Sequence, residues 1–360
     1  MKLPFRKTLD SITAYKPGKP IEDVQREYGL EHVDKLASNE NPLNCSPLAI
    51  EAVRKAAANL SLYPDGNATE LKKAIANFYG VKETEVMPTC GSDEMVSLLA
   101  ETFLDPGDET IMADLTFTSY IIAARMVDAK VVIVPLKDFK LDLDGMAEAI
   151  TDKTKVIWLC NPNNPTGTMF TEAELTAFMA KVPENVVVVY DEAYVEFVTN
   201  PNYPKDSYKL YQKYPNMIVM RTFSKVYGLA GLRVGYTLAN EEILNNVNKI
   251  RKAFNVNRLA QVAAIAALKD QEFVEKVHKV NKEGKEYLYK SFEEMGIKYV
   301  PTEANYIFVD VGRNCNEVFV ELQKRGVIIR PIKETFVRIT IGTMQQNQRL
   351  VSQLKEVLGK

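Results

Sequence analysis

The chain has 360 residues, 46% of them apolar and 26% charged, with a formal net charge of −2. That is the composition of a folded globular protein long enough for two domains, and it excludes bulk attraction to nucleic acid or to an anionic membrane. Four scattered cysteines (Cys45, Cys90, Cys160, Cys315) show no CxxC pair or zinc spacing, so each is expected as a small buried residue in a reduced cytoplasm, with no metal site.

The first ten residues, MKLPFRKTLD, lack the apolar stretch of a signal peptide, and no run reaches the roughly 18 apolar residues of a membrane span. Residues 1–40 are weakly patterned and are expected to form an arm packing with a small domain. At 89–104, TCGSDEMVSLLAETFL places a glycine, a serine and acids ahead of a helical apolar period. Such a helix start offers Ser92 and free backbone N–H groups to an anion, or is simply an ordinary capped helix. Strand-like runs at 110–113, 131–135, 156–160, 186–190 and 217–220 alternate with helical or looped stretches. This alternation predicts an α/β fold with a doubly wound, mainly parallel sheet in a large domain, 41–250. A long helical segment, 241–296, leads into a smaller α/β domain, 251–360, with strands at 306–309, 326–330 and 337–341 and a final helix after 345.

Three motifs fall just after predicted strands, where open α/β sheets bind ligands. NPNNPTG at 161–167 forces a rigid turn and presents Asn164, which carries both a donor and an acceptor. VVVVYDEAY at 186–194 ends a strand buried on both faces with Asp191, followed three residues later by Tyr194. A carboxylate there needs partners and reads as a helix cap, a salt bridge or the counter-charge of a protonated ring nitrogen. TFSKVYGLAGLRVGY at 222–236 holds Lys225 at the mouth of a buried strand. Desolvation lowers an amine pKa and makes the neutral nucleophile accessible, as Schiff-base chemistry requires. Thr222, Ser224 and Arg233 stand close enough in sequence to hold a phosphate. Arg330 and Arg338 interrupt apolar strand patterns and suit bidentate capture of carboxylate or phosphate, or else face solvent. His32 and His278 lie in charged surroundings and are expected at the surface.

The order and spacing of NPNNPTG, Asp191 and Lys225 resemble the fold-type I, aspartate-aminotransferase-like family of pyridoxal-phosphate enzymes, over nearly the whole chain. The resemblance implies that Lys225 holds pyridoxal 5′-phosphate as a Schiff base and then acts as the catalytic base. It implies that Asp191 keeps the pyridine nitrogen protonated, and that Asn164 and Tyr194 bind the phenolic oxygen. Gly91, Ser92, Asp93, Thr222, Ser224 and Arg233 match phosphate-binding positions. Phe117 matches the ring that stacks on the cofactor, often tyrosine in relatives; phenylalanine keeps the stacking.

Within the family, the run AYKPGKPIEDVQREYGLEHVDKLASNENPLNCSP at 14–47, LYPDGNATELKKAIANFYG at 62–80 and the pair IIRPI and VRITIG are similar to the branch that acts on histidinol phosphate. Asn44 stands where many relatives have glycine, and asparagine tolerates the same left-handed turn. This likeness implies a homodimer with shared active sites, Tyr63 reaching the partner's cofactor phosphate. It puts Arg338 on the donor's α-carboxylate, Arg330 on the substrate phosphate, and Tyr15 and Asn41 at the substrate. The expected activity is amino transfer between L-histidinol phosphate and 2-oxoglutarate or glutamate, in histidine biosynthesis. An aromatic (Phe/Tyr) or aspartate-type aminotransferase, or a decarboxylase of a phosphorylated amino acid, would show the same cofactor constellation. A DNA-binding regulator on this fold is not expected, because no basic stripe is present.

Overall fold

The structure is a computed structural model describing residues 3–14 and 18–360. Seven strands form the large sheet: β1 (Val86–Thr89), β2 (Glu109–Ala113), β3 (Lys130–Val134), β4 (Thr154–Cys160), β5 (Val187–Asp191), β6 (Met217–Thr222) and β7 (Gly235–Leu238). Their spatial order is β1-β7-β6-β5-β4-β2-β3. Neighbours from β6 across to β3 run parallel, while β7 is antiparallel to both β1 and β6. The five parallel strands are those expected from the sequence. The antiparallel edge was not, because β1 is four residues long and carries Pro88. Proline is tolerated there since an edge strand can spare an N–H.

The strands are continuous apolar runs because both faces are covered. Along β5, Val188 and Tyr190 pack into one core while Val187 and Val189 pack into the other. This is the two-residue period of a strand sandwiched between helical layers.

The segment 241–296 is three helices rather than one: Glu241–Asn248, Arg258–Lys269 and Gln271–Glu294. Asn240, Asn257 and Asp270 each cap the following helix through a side-chain oxygen, which is why the helical pattern restarts. Beyond the expected boundary at 250, Val256, Ala260, Ala263, Ala264 and Ala267 still pack in the core of the large sheet. Their small side chains let Arg258–Lys269 lie on helix Pro47–Ala56. Helix Gln271–Glu294 then gives Phe273, Val274 and Val277 to that core, and Leu288 and Phe292 to a second one.

The second core lies under an antiparallel sheet of β8 (Lys298–Val300), β9 (Tyr306–Asp310), β10 (Arg330–Lys333) and β11 (Phe336–Thr340), in the order β10-β11-β9-β8. Helix Met344–Leu358, started by a capping box at Thr343, closes it. The strand expected at 326–330 is divided. Val327–Ile328 pairs in parallel with Asp34–Lys35, whereas Arg330 begins β10. Within β10 the ladder to β11 shifts register between Pro331 and Lys333, where proline has no N–H to offer. Val24, Val33, Ala37 and Ile328 pack together, seating the N-terminal segment against Val327–Ile328. Among the described residues no helix is long and apolar enough to cross a membrane.

Candidate active site

The register brings Cys160 beside Asp191 and Asp191 beside Met220, so β4, β5 and β6 end together. Their carboxyl ends open on a cavity of about 530 Å³ whose walls include Asn164, Asp191, Tyr194, Thr222, Ser224, Lys225 and Arg233. Ser92, Asp93 and Phe117 line the same cavity, so nearly the whole predicted cofactor set converges on it.

Lys225 follows β6 and is half-buried, with Nζ donating to the Ser38 carbonyl at 3.1 Å. Burial, reinforced by the Arg338 guanidinium, pulls its pKa from the usual lysine range down to about 7. A substantial neutral fraction is therefore available at physiological pH. Asp191 ends β5 and is buried. Its Oδ2 accepts from the Tyr120 hydroxyl at 2.6 Å and its Oδ1 from the Ala193 N–H at 3.1 Å. Burial raises its carboxyl to about 6 against these two bonds, which hold it down. Tyr194 is buried, and its hydroxyl accepts from Asn39 Nδ2 at 2.9 Å. Burial pushes this phenol up to about 12, partly offset by Arg338.

Arg338 on β11 donates to Asn164 Oδ1 and to the Ala37 carbonyl, each at 2.6 Å, with its guanidinium 5.4 Å above the Tyr306 ring. It thus ties the NPNNPTG turn to the small sheet and sets a cation next to Lys225. Arg330 faces Arg338 across the β10–β11 ladder.

A second group of donors gathers where helix Gly91–Phe103 begins. Gly91 has φ +74°, and a Cβ there would stand 2.7 Å from the Arg233 guanidinium. Only glycine leaves that space open. Arg233, Ser92, Thr222 and Ser224 line the cavity where this 13-residue helix starts, a set of donors whose chemistry suits an anion. The donor set therefore fits pyridoxal phosphate: a cup for its phosphate, a nucleophilic amine for its aldehyde and a buried carboxylate for its ring nitrogen.

Arg330 and Arg338 do not line the cavity, and three further sequence-predicted residues stand apart. Asn41 spends its amide inside the fold, donating to the Val226 carbonyl at 2.8 Å and accepting from the Leu43 N–H at 2.9 Å. It buttresses the segment after Lys225 and does not line the cavity. Tyr63 is 78% exposed, stacks on Phe254 at 4.6 Å, and lies away from its own chain's cavity. Tyr15 lies outside the described residues. Conversely, Tyr120, Asn39 and Ser38 touch the central residues without having been anticipated. Tyr120 sits three residues after Phe117, but nothing local shows that its hydroxyl meets a carboxylate 71 positions away.

Residues 31–354 match the family model described as aminotransferase class I and II. The chain is 50% identical, over 98% of its length and 93% of the other protein's, to the histidinol-phosphate aminotransferase of Moorella thermoacetica. It is 46% identical to that of Caldicellulosiruptor saccharolyticus, covering 98% of this chain and 100% of that one. Among solved structures it is similar to histidinol-phosphate aminotransferase from Sinorhizobium meliloti in complex with pyridoxal 5′-phosphate. That likeness has a TM-score of 0.90 at 27% identity, covering 99% of this chain and 97% of the other.

Proposed function

The chain belongs to the class I and II aminotransferase family, and from that premise we propose that it exchanges an amino group between L-histidinol phosphate and 2-oxoglutarate, a step of histidine biosynthesis. The observation that carries this reading is identity of 50% to a histidinol-phosphate aminotransferase sustained over 98% of the chain. Pyridoxal 5′-phosphate is the cofactor; when bound, it supplies an aldehyde that condenses with amines and a ring that accepts electrons.

The chain's own residues do the rest. Lys225 Nζ, unprotonated in good part near pH 7, is the nucleophile toward the aldehyde and then the base that takes the proton from the substrate's α-carbon. Asp191 would balance a positive charge at the ring nitrogen. Asn164 and Tyr194 would hold the phenolic oxygen, and Phe117 would pack on the ring. Gly91, Ser92, Asp93, Thr222, Ser224 and Arg233 would hold the phosphate. Arg338 takes the α-carboxylate of glutamate and Arg330 the phosphate of histidinol phosphate; an arginine fork suits either oxyanion, which lets one site serve two unlike substrates.

The same reading makes the enzyme a cytoplasmic homodimer with shared sites. Tyr63 supports it: the Arg258 guanidinium donates to the Tyr63 carbonyl at 2.9 Å and Phe254 stacks on the ring, which leaves the side chain on the surface where a second copy would meet it. Leu60 and Leu62 are exposed beside it, giving an apolar surface to cover. Helix Gln271–Glu294 would join the large and small domains.

The test is the absorption spectrum of cofactor-loaded protein mixed separately with L-histidinol phosphate, L-phenylalanine and L-glutamate. Fast loss of the aldehyde-form band with histidinol phosphate and with glutamate, and much slower loss with phenylalanine, is the expected result. The reverse order makes this an aromatic aminotransferase.

A further inference from the structure

We propose that Tyr120 is a positioning residue for the cofactor ring, its phenol O–H holding Asp191 both in place and ionised. This rests on the reading of the cavity as a pyridoxal-phosphate site. Tyr120 is wholly buried in helix Ser119–Met126, which lays it across the end of β5. Its hydroxyl is 2.6 Å from Asp191 Oδ2, and the Ala193 N–H takes the other oxygen.

Both of these donors are neutral, and the chemistry explains why that matters. An arginine on Asp191 would neutralise it and cancel its pull on the ring nitrogen. With no donor at all, the buried carboxyl would keep its own proton. A neutral O–H lies between: it stabilises the anion without spending its charge. Burial presses the Asp191 carboxyl toward protonation, and Glu192 and Asp93 add to it as like charges.

Tyr120 is also held rigidly. Its ring stacks on Trp158 at 4.8 Å and 14°, and the Trp158 indole N–H donates to Thr110 Oγ1 at 2.8 Å. Phe117 meets the same ring edge-on at 5.5 Å. One side chain therefore links the sheet core, the stacking ring and the anion.

The test is a double-mutant cycle of Tyr120→Phe and Asp191→Asn. It is read by the dissociation constant for pyridoxal phosphate and by carbon NMR titration of the Asp191 carboxyl in the apoprotein. Tyr120→Phe is expected to weaken cofactor binding about ten-fold. It should also raise the Asp191 midpoint by roughly one unit, and it should cost nothing further once Asp191 is Asn. Equal weakening in both backgrounds overturns the inference, since Tyr120 would then act through packing alone. Incorporating 3-fluorotyrosine at 120 keeps the shape and strengthens the donor, so the midpoint should fall; an unmoved midpoint overturns the proposal as well. A wild-type chain that binds no pyridoxal phosphate overturns the functional reading together with this one, whereas normal binding with an additive cycle overturns this one alone.

Discussion

Asp191 and Glu192 are consecutive residues at the end of β5, both buried, and the two sides of the sheet treat them differently. Glu192 meets the Arg221 guanidinium, with Nε at 2.8 Å and NH2 at 2.7 Å, and accepts from the Tyr203 hydroxyl at 2.8 Å. Arg221 is completed by the Tyr79 hydroxyl at 2.9 Å and Ser207 at 3.1 Å. That charge is balanced inside the fold. Among the described residues Asp191 receives only neutral donors, and it opens onto a cavity. The two basic residues repeat the contrast: Arg221 is paired, while Lys225 is pulled toward neutrality by burial and a neighbouring cation. Buried charge on one side is balanced within the fold; on the other it is left for a ligand to complete.

Substitutions can break this contrast, and the largest effect belongs to Lys225. Lys225→Ala should lower turnover by about 10⁴-fold, and because burial holds the Lys225 pKa down to about 7, removing the amine should leave the apoprotein at least as stable as wild type in thermal denaturation at neutral pH. Near-normal transamination by that variant would end the assignment. Glu192→Gln should act the other way. It strands the buried Arg221 charge and should cost about 3–5 kcal/mol in chemical denaturation, while the protein that does fold turns over within a few-fold of wild type.

Asp191→Asn should reduce turnover by about 10²–10³-fold with the fold intact. Its pH signature has a definite sign. The folded-state pKa, about 6, lies above the ordinary 3.8, so the folded apoprotein holds this proton more tightly than the unfolded chain does. Asp191 therefore makes the apoprotein lose stability as pH rises from about 4 to about 6, by roughly 3 kcal/mol. Glu196, raised to about 7 by burial, adds a slope of the same sign, so the comparison is between wild type and Asp191→Asn. The variant should lack its part of the slope, and denaturation midpoints across that window measure it. The smallest effect is Tyr203→Phe, which removes the hydroxyl shared by Glu192 and the Asn161 carbonyl and should cost about 1.5–3 kcal/mol with turnover unaffected.

Much of the site was legible because its parts are local. A β-branched run ending in Asp191, two Asn-Pro steps and a lysine after a buried strand are short-range features, and each lies where its strand ends. The short antiparallel strands at the edge of the large sheet were not legible. Gly235–Leu238 is four residues long and gains its place from Val86–Thr89 and Met217–Thr222, not from its own pattern. The division of 326–330 between two sheets likewise depends on Asp34–Lys35, almost 300 residues earlier in the chain.

The sequence by itself determined which chemical groups the site holds and that they follow the strands in this order, since strand propensity, turn residues and side-chain chemistry are properties of neighbouring residues. Tertiary structure alone decided their partners. Tyr120 meets Asp191 across 71 positions, Asn39 meets Tyr194 across 155 and Arg338 meets Asn164 across 174. Those pairings depend on sheet order and on how the N-terminal segment and small sheet close over the strand ends. They also decide which buried acid is satisfied by an arginine and which is left facing the cavity, because desolvation and pairing act through space and not along the chain.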